Sequence, residues 1–435
     1  MFILSALTSL TLLAALSAAS SAREITLAEV ITLAREHAPA LAAAEASARA
    51  SHSMRRTVES ERFGTLSLSS SAVYQSENSS LNLTIPGLPP VNREIGTHEI
   101  FQNELRYTIP LWTGGRLGSS IKLATVSESI AEALASSDTL RILYQSHLEY
   151  FNLTAMTESA RLSQVALTRV ENLQKEVQAL YAAGMSDSLG IIEANLSVNR
   201  ARLQLSLAQD AKRRAEIRLL QLCGLPVNEE ITIGDRLAPV NESATQDTLI
   251  TRPELVAAQR RIGLAGTRIS QQRSEWMPSL GAFAGYSYGK PNLDRFGNSW
   301  NDYWSAGAQL TWSFQPGGKN SHSIRRSIEE QKSAVQEFNR LNEQFKTEQL
   351  VAREKLQAAA TSNDIQQERA ILRADAFRLS QIQFREGILS ATRLFDTEQL
   401  LSEAELSAAL SLIDWYAARS GYWYARGSSR LEEGL

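Results

Sequence analysis

Metal binding, nucleophilic attack and acid–base work need histidine, cysteine, serine and carboxylate side chains at short, definite spacings. The five histidines of this 435-residue chain, His37, His52, His98, His147 and His322, show no ligand spacing with one another or with cysteine. No metal site is therefore expected. The one cysteine, Cys223, directly precedes Gly224 at the end of a helical stretch; a small buried apolar residue fits that place better than a reactive thiol. It permits no intramolecular disulfide. Gly114-Gly115-Arg116-Leu117-Gly118-Ser119-Ser120 has the glycines of a phosphate loop but not its lysine, and a strand-to-helix turn accounts for it. No Ser/His/Asp or Cys/His set is suggested by position or motif, so neither catalysis nor a cofactor is expected. Lys212-Arg213-Arg214 reads as a solvated helix face. With a net charge of −3 the chain has no global basic field to draw it to nucleic acid.

The strongest signal is a duplication. Pro39-Ala40-Leu41 recurs as Pro253-Glu254-Leu255 and Leu66 as Leu280, both at an offset of 214. Gly115 recurs as Gly318, Gly184 as Gly387 and Gly224 as Gly427, all at an offset of 203. The first copy thus carries 11 extra residues (214 minus 203) between Leu66 and Gly115. Each copy reads as a short helix, two strands and two long helices. The segments are a leader over 1–22, a first repeat over 23–223, a linker over 224–251, a second repeat over 252–427 and a tail over 428–435. The leader is apolar or small from Phe2 to Ala19 and ends in the small-x-small Ser20-Ser21-Ala22, but it lacks a basic start. No cysteine lies near that cleavage site, so lipid attachment there is not expected. In the linker, Gly224, Pro226, Gly234 and Pro239 predict a small strand-and-loop segment packed on the helices.

Four stretches alternate with a period of two. Leu66, Leu68, Ser70, Ala72 and Tyr74 share one face of the first; Phe101, Asn103, Leu105, Tyr107, Ile109 and Leu111 share one face of the second. In the other copy Leu280, Ala282, Ala284, Tyr286 and Tyr288 pair with Trp304, Ala306, Ala308, Leu310, Trp312 and Phe314. About ten residues each, with aromatics at the ends, is the size and dress of a tilted membrane strand. The segments joining the paired strands, Ser76 to Gly96 and Gly289 to Ser299, look like loops. Apart from the leader, no stretch has the ~18 apolar residues of a membrane helix, so any crossing of a bilayer is made by strands.

After each Gly-Gly pair the helical period returns. Arg116 to Ala183 contains no proline over 68 residues, about 100 Å of helix. Leu167, Val170, Leu173, Val177 and Leu180 form a seam at steps of three and four, as do Ile371, Ala374, Phe377, Gln381 and Phe384. Gly184 and Gly387 are plausible left-handed caps; Ser186, Ser188 or Ser390 then starts an antiparallel return helix. Four strands cannot close a barrel and lipid tolerates no open edge, so copies must share one. Two, three or four copies give 8, 12 or 16 strands, and a wide duct needs at least three.

The layout resembles the TolC-like outer-membrane efflux proteins. The resemblance rests on Tyr181-Ala182-Ala183-Gly184-Met185-Ser186 with Ile191-Ile192-Glu193-Ala194, on Phe384-Arg385-Glu386-Gly387 with Leu394-Phe395-Asp396-Thr397, and on Pro110-Leu111-Trp112-Thr113-Gly114-Gly115 with Ser313-Phe314-Gln315-Pro316-Gly317-Gly318. It implies a mainly α fold with a transmembrane β-barrel portion: a homotrimer whose 12-stranded barrel sits in outer-membrane lipid above a periplasmic tunnel of antiparallel coiled-coil helices. It implies an exit duct for efflux or type I secretion, meeting a periplasmic adaptor and, through it, an inner-membrane pump. By the family's spacing the pore gate falls on Asp396 and Arg393, with Glu193 as the first-repeat counterpart of Asp396; Arg393 departs from the acidic pattern and is free to pair with Asp396 or Glu193. Gly184 and Gly387 are expected at the tip where the adaptor docks. Tyr181 and Phe384 precede them by three residues, and core packing is the expected role of both. A soluble periplasmic coiled-coil protein whose strands cap a rod is the competing reading; an outer-membrane barrel enzyme is a third, against which the missing nucleophile motif counts.

Overall fold

The computed structural model describes residues 23–87, 89–184, 187–238, 252–293 and 298–432. The leader lies outside these residues, as do Met185 and Ser186 of the tip motif and residues 239–251 of the linker. The chain divides into two compact units. One comprises Met1–Ala44, Ala135–Pro253 and Leu341–Leu435; the other comprises Glu45–Leu134 and Glu254–Arg340.

The duplication holds residue for residue in the helices. Helix α3 (Arg116–Ala182) and helix α6 (Lys319–Arg385) have 67 residues each, and α4 (Ser188–Cys223) and α7 (Ala391–Arg426) have 36 each. Helices α2 (Pro39–Ser60) and α5 (Pro253–Ser274) match at 22 residues. Pro39 begins α2: α1 (Leu27–His37) ends at Ala38, and a proline at the first helical position costs no hydrogen bond. No described helix is long and apolar enough to cross a membrane.

Four long strands form one antiparallel sheet in the order β2 (Thr65–Tyr74), β5 (Glu99–Trp112), β7 (Ser279–Lys290), β8 (Asn301–Thr311). The register puts the four expected apolar faces on one side. Leu68 stands opposite Leu105, Leu105 opposite Tyr286, and Tyr286 opposite Trp304; all four side chains are exposed. The other side is polar. Arg106 there reaches Glu104 at 3.2 Å and lies 4.3 Å above the Phe283 ring. Strands β2 and β8 have unpaired outer edges among the described residues. Trp312 and Phe314, expected in the last strand, follow its end: the rings contact each other at 4.7 Å, and Trp312 Nε1 donates to the Trp276 carbonyl. The first inter-strand connection is not a simple loop. It holds a hairpin of β3 (Ser79–Leu83) and β4 (Val91–Ile95), which lies where the first copy has its extra residues.

In the other unit, strand β1 (Arg23–Ile25) pairs in parallel with β6 (Ile231–Ile233) of the linker. These close one end of a core built on Tyr150, Phe151, Leu219, Leu220, Trp415 and Trp423. Asp235 Oδ2 accepts from both the Tyr150 hydroxyl and the Leu27 N–H at 2.7 Å, stitching linker, α3 and α1 together. Cys223 is fully buried in this core, and burial pushes its thiol up to about 11. His147 is buried there too, with Nε2 3.1 Å from the Leu431 carbonyl and Nδ1 2.9 Å from the Ser420 hydroxyl. The Arg419 guanidinium stacks on Trp415, Tyr416 and Trp423 at 4.6–5.1 Å.

Candidate functional site

The candidate site is the pair of helix reversals and the helix turns that follow them. Helix α6 ends in a left-handed glycine, Gly387 at φ +75°. The Gly387 N–H bonds back to Phe384 and the Ile388 N–H reaches the Gln383 carbonyl at 2.9 Å, a six-to-one closure of the last turn. Gly184 closes α3 at φ +72°, its N–H on the Tyr181 carbonyl. The return helices start on side-chain caps. Ser390 Oγ accepts from the Arg393 N–H, as expected; at the other turn Asp187 accepts from the Gly190 N–H at 2.8 Å. Ser188 is already inside α4, so the carboxylate beside it takes the capping role.

Beneath the turns a core joins all four long helices through Val170, Val177, Ala194, Val198, Phe384 and Leu394. The α3 seam is as expected. On α6 the seam differs: Phe377 and Phe384 are buried, but Ile371 and Ala374 are exposed. The buried line runs with a spacing of seven through Phe377 and Phe384; Ile371, six residues before Phe377, is turned about a third of the way round the helix and is exposed. The two aromatic tip residues part company for the same reason of direction. Phe384 is 6% exposed and packs in the core, whereas Tyr181 is 45% exposed and does not. The expected core role is thus corrected for Tyr181 within a single chain.

Asp396 and Glu193 occupy the same place in their helices, the sixth residue of α7 and of α4. Neither lies in the first turn, so the helix dipole has little hold on them. Asp396 and Arg393 are exposed and Glu193 is half-buried. Among the described residues Arg393 pairs with neither carboxylate. The geometry therefore leaves Asp396 and Arg393 facing outward from the chain and Glu193 partly covered, with none of the three paired to another.

A charged network two residues further on was not anticipated. Glu398 is 4% exposed; Arg169 of α3 reaches it at 3.4 Å and Glu405 at 2.8 Å, while Ser402 donates to it at 2.7 Å. The Arg169 guanidinium also lies 5.8 Å from the Phe377 ring centroid of α6. Burial raises the Glu398 carboxyl above the usual carboxylate range; the Ser402 hydrogen bond and Arg169 pull the other way. The sequence does carry a signal. Ala391, Leu394, Leu401 and Ala408 mark the buried line of α7, and Glu398 and Glu405 stand on it. A cavity of about 350 Å³ opens beside Glu398, with Leu162, Leu203, Phe395 and Ser402 on its walls.

Residues 30–225 and 244–420 match the sequence model of the family described as "Outer membrane efflux protein". A toluene efflux pump outer membrane protein of Pseudomonas putida, TtgC, is 25% identical over 334 residues, covering 70% of this chain and 66% of that protein, just under two thirds of its length. The pyoverdine export outer membrane protein OpmQ of Pseudomonas aeruginosa is 22% identical over 330 residues, covering 74% of this chain and 68% of that protein. Among solved structures, the outer membrane protein VceC of Vibrio cholerae superposes with a TM-score of 0.77 at 17% identity, covering 92% of this chain and 96% of that one. The similarity in fold therefore extends over strands and helices alike.

Proposed function

The chain belongs to the outer membrane efflux protein family, and on that premise we propose that it is the outer-membrane exit duct of a tripartite efflux or type I secretion system. The observation that carries this is the sheet: four strands with an exposed apolar face of Leu68, Leu105, Tyr286 and Trp304 and two edges that are unpaired among the described residues. An apolar face of that kind suits lipid, and unpaired edges in lipid demand further strands. Three copies supply 12 strands and a ring of paired helices below. The polar face with Glu104 and Arg106 then lines the lumen.

At the tunnel tip, the turns at Gly184 and Gly387 meet a periplasmic adaptor and, through it, an inner-membrane pump. Asp396 and Glu193 give up to six carboxylates on one level across three copies, countered by three Arg393 cations. Crowded carboxylates attract cations, so the closed tip favours cations and Arg393 tempers that preference. Transport energy comes from the pump; the duct itself is passive. The test is reconstitution of the full chain in planar bilayers. Wild-type protein is expected as outer-membrane trimers with cation-preferring conductance, and Asp396→Ala is expected to shift conductance and ion preference. Recovery of the protein as a soluble monomer overturns the duct; unchanged conductance and selectivity in Asp396→Ala removes that residue from the gate.

A further inference from the structure

The cavity of about 350 Å³ beside Glu398 has no part in the gate: none of Asp396, Arg393 and Glu193 lines it. Its walls come from three helices within one unit of the chain. Leu162 and Val170 of α3, Leu203 of α4, and Phe395 and Leu406 of α7 make them largely apolar. A space of this size takes a small organic molecule, and a charged group set in an apolar wall fixes how that molecule lies.

Glu398 is that group. It is 4% exposed, yet its charge is only partly matched. Arg169 Nη2 donates to both oxygens of Glu405, at 3.0 and 2.8 Å, and only Nη1 approaches Glu398, at 3.4 Å. One guanidinium thus serves two carboxylates. Both hydrogen bonds on Glu398, from Arg169 and from the Ser402 hydroxyl at 2.7 Å, fall on Oε1. Oε2 receives none among the described residues, although a carboxylate oxygen has room for donors of its own. An under-matched charge in an apolar recess is unfavourable, and burial already holds the Glu398 carboxyl above its usual range. An ammonium group placed there supplies both the missing charge and the missing donor. The two other charged residues of the lining, Arg200 and Glu403, are opposite in sign and exposed, where water screens them.

The first repeat has no counterpart. At an offset of 203, Glu398 corresponds to Asn195, whose side chain bonds Gln174 of α3 at 2.7 Å. The acid therefore belongs to this one place and not to the helix pattern in general. We infer that the cavity between α3, α4 and α7 is a binding site for a hydrophobic amine, its ammonium on Glu398 Oε2 and its apolar body along Leu162, Leu203 and Phe395. A bound amine touches three helices at once and braces them beneath the turns. The inference concerns a single chain and stands apart from the duct.

Three probes of matched shape test it: phenylbutylamine, phenylbutanol and phenylbutanoate. They are titrated calorimetrically into the full-length protein in detergent at about pH 8, above the carboxylate range and below that of the amine. The amine is expected to bind at least about tenfold more tightly than the alcohol, and the carboxylate more weakly than either. Glu398→Gln, which keeps an acceptor for Ser402, is expected to bring the amine down to the affinity of the alcohol. Ala166→Leu, which fills the cavity from α3, is expected to weaken amine and alcohol alike. Partition of the probes into detergent is common to all variants and cancels. Saturating amine is expected to raise the unfolding midpoint of wild type and not of Glu398→Gln. Equal affinities for amine and alcohol, or an amine affinity indifferent to Glu398→Gln, overturn the role of the carboxylate. Preference for the carboxylate probe makes Arg200 the anchor and overturns the inference. Absence of saturable binding by any probe overturns the cavity as a site. If Glu398→Gln does not fold, the ranking of the three probes on wild type and its loss in Ala166→Leu decide.

Discussion

Acidification from about pH 7.5 to about pH 4.5 probes the core around His147. The neutral ring fits its site: one nitrogen faces the Leu431 carbonyl and the other the Ser420 hydroxyl. Burial pulls its pKa from 6.5 down to about 4, the Leu431 carbonyl opposes that shift, and the nearby Arg419 charge adds to it. In the unfolded chain the ring takes its proton near 6.5, so the native state holds fewer protons between these values. A depressed folded pKa means stability present above 6.5 and lost as pH falls towards 4. The difference is roughly 2.5 pKa units at about 1.4 kcal/mol each, or about 3 kcal/mol per chain, with a slope near 1 kcal/mol per pH unit in the window. The assay is denaturant unfolding in detergent at fixed protein concentration, read by tryptophan fluorescence. Trp415 and Trp423 belong to the same core and report on it directly. Wild type is compared with His147→Gln, which cannot titrate. Other carboxylates, such as Glu128 with its lowered pKa, act equally in both proteins and cancel. Wild type is expected to lose stability more steeply by about 1 kcal/mol per pH unit; parallel curves refute the reasoning. If the variant does not fold, the ring-proton titration of wild-type His147 decides, and a midpoint near 6.5 is the refuting result.

Phe384→Ala is expected to cost about 3–5 kcal/mol by emptying the core beneath the turns, whereas Tyr181→Phe stays within about 0.5 kcal/mol; hydrogen exchange of the tip amides measures both, and equal effects would contradict the burial difference. Arg169→Met leaves two carboxylates without their cation and is expected to destabilise by about 3–5 kcal/mol; Glu398→Gln, which keeps its place beside Ser402, is expected to cost far less, and unfolding midpoints that rank them the other way would dismiss Arg169 as the anchor. Gly387→Val forces a β-branched residue into the left-handed region and costs about 2 kcal/mol locally; trimers are expected to persist while adaptor binding, measured by co-purification, falls, and a variant that loses trimers yet keeps the adaptor would reverse that order.

Much of this was legible because repetition and periodicity are properties of sequence. Two offsets located the four long helices to within a residue or two, and period-two alternation placed the apolar strand faces on one side of the sheet, except at Leu111, where a bulge brings Trp112 opposite Leu280, and at Trp312 and Phe314, beyond the last strand. The misreadings share a cause. On α6, Ile371 and Phe377 both stand on the expected seam at steps of three and four, and period alone cannot say which of its members is turned inward; the core shared with Val177 and Leu394 takes in Phe377 and leaves Ile371 exposed. Pro86, Gly87, Pro89 and Pro90 hid the β3–β4 hairpin because turn residues mark its tip as readily as they mark a loop. The parallel pair of β1 and β6 is three residues long and separated by about two hundred in sequence, beyond any local pattern. Glu398 was overlooked among exposed carboxylates, although its place on an apolar line sets it apart.

The two copies keep one fold and diverge in chemistry where their helices meet. Arg169, Glu398 and Glu405 correspond, at an offset of 203, to Leu372, Asn195 and Arg202. The first set joins α3 to α7 inside the chain through a buried cation and two carboxylates. The second set faces outward: Leu372 is exposed, and Asn195 and Arg202 bind Gln174 and Glu171 of α3 at 2.7 and 3.1 Å. Helices of one chain are already held near each other, so a buried ion pair there has only its own desolvation to overcome. Replacing Arg169 by the Leu of its counterpart is expected to destabilise, because Glu398 and Glu405 would remain without their cation; only the triple change to Leu, Asn and Arg carries the second set's chemistry inward.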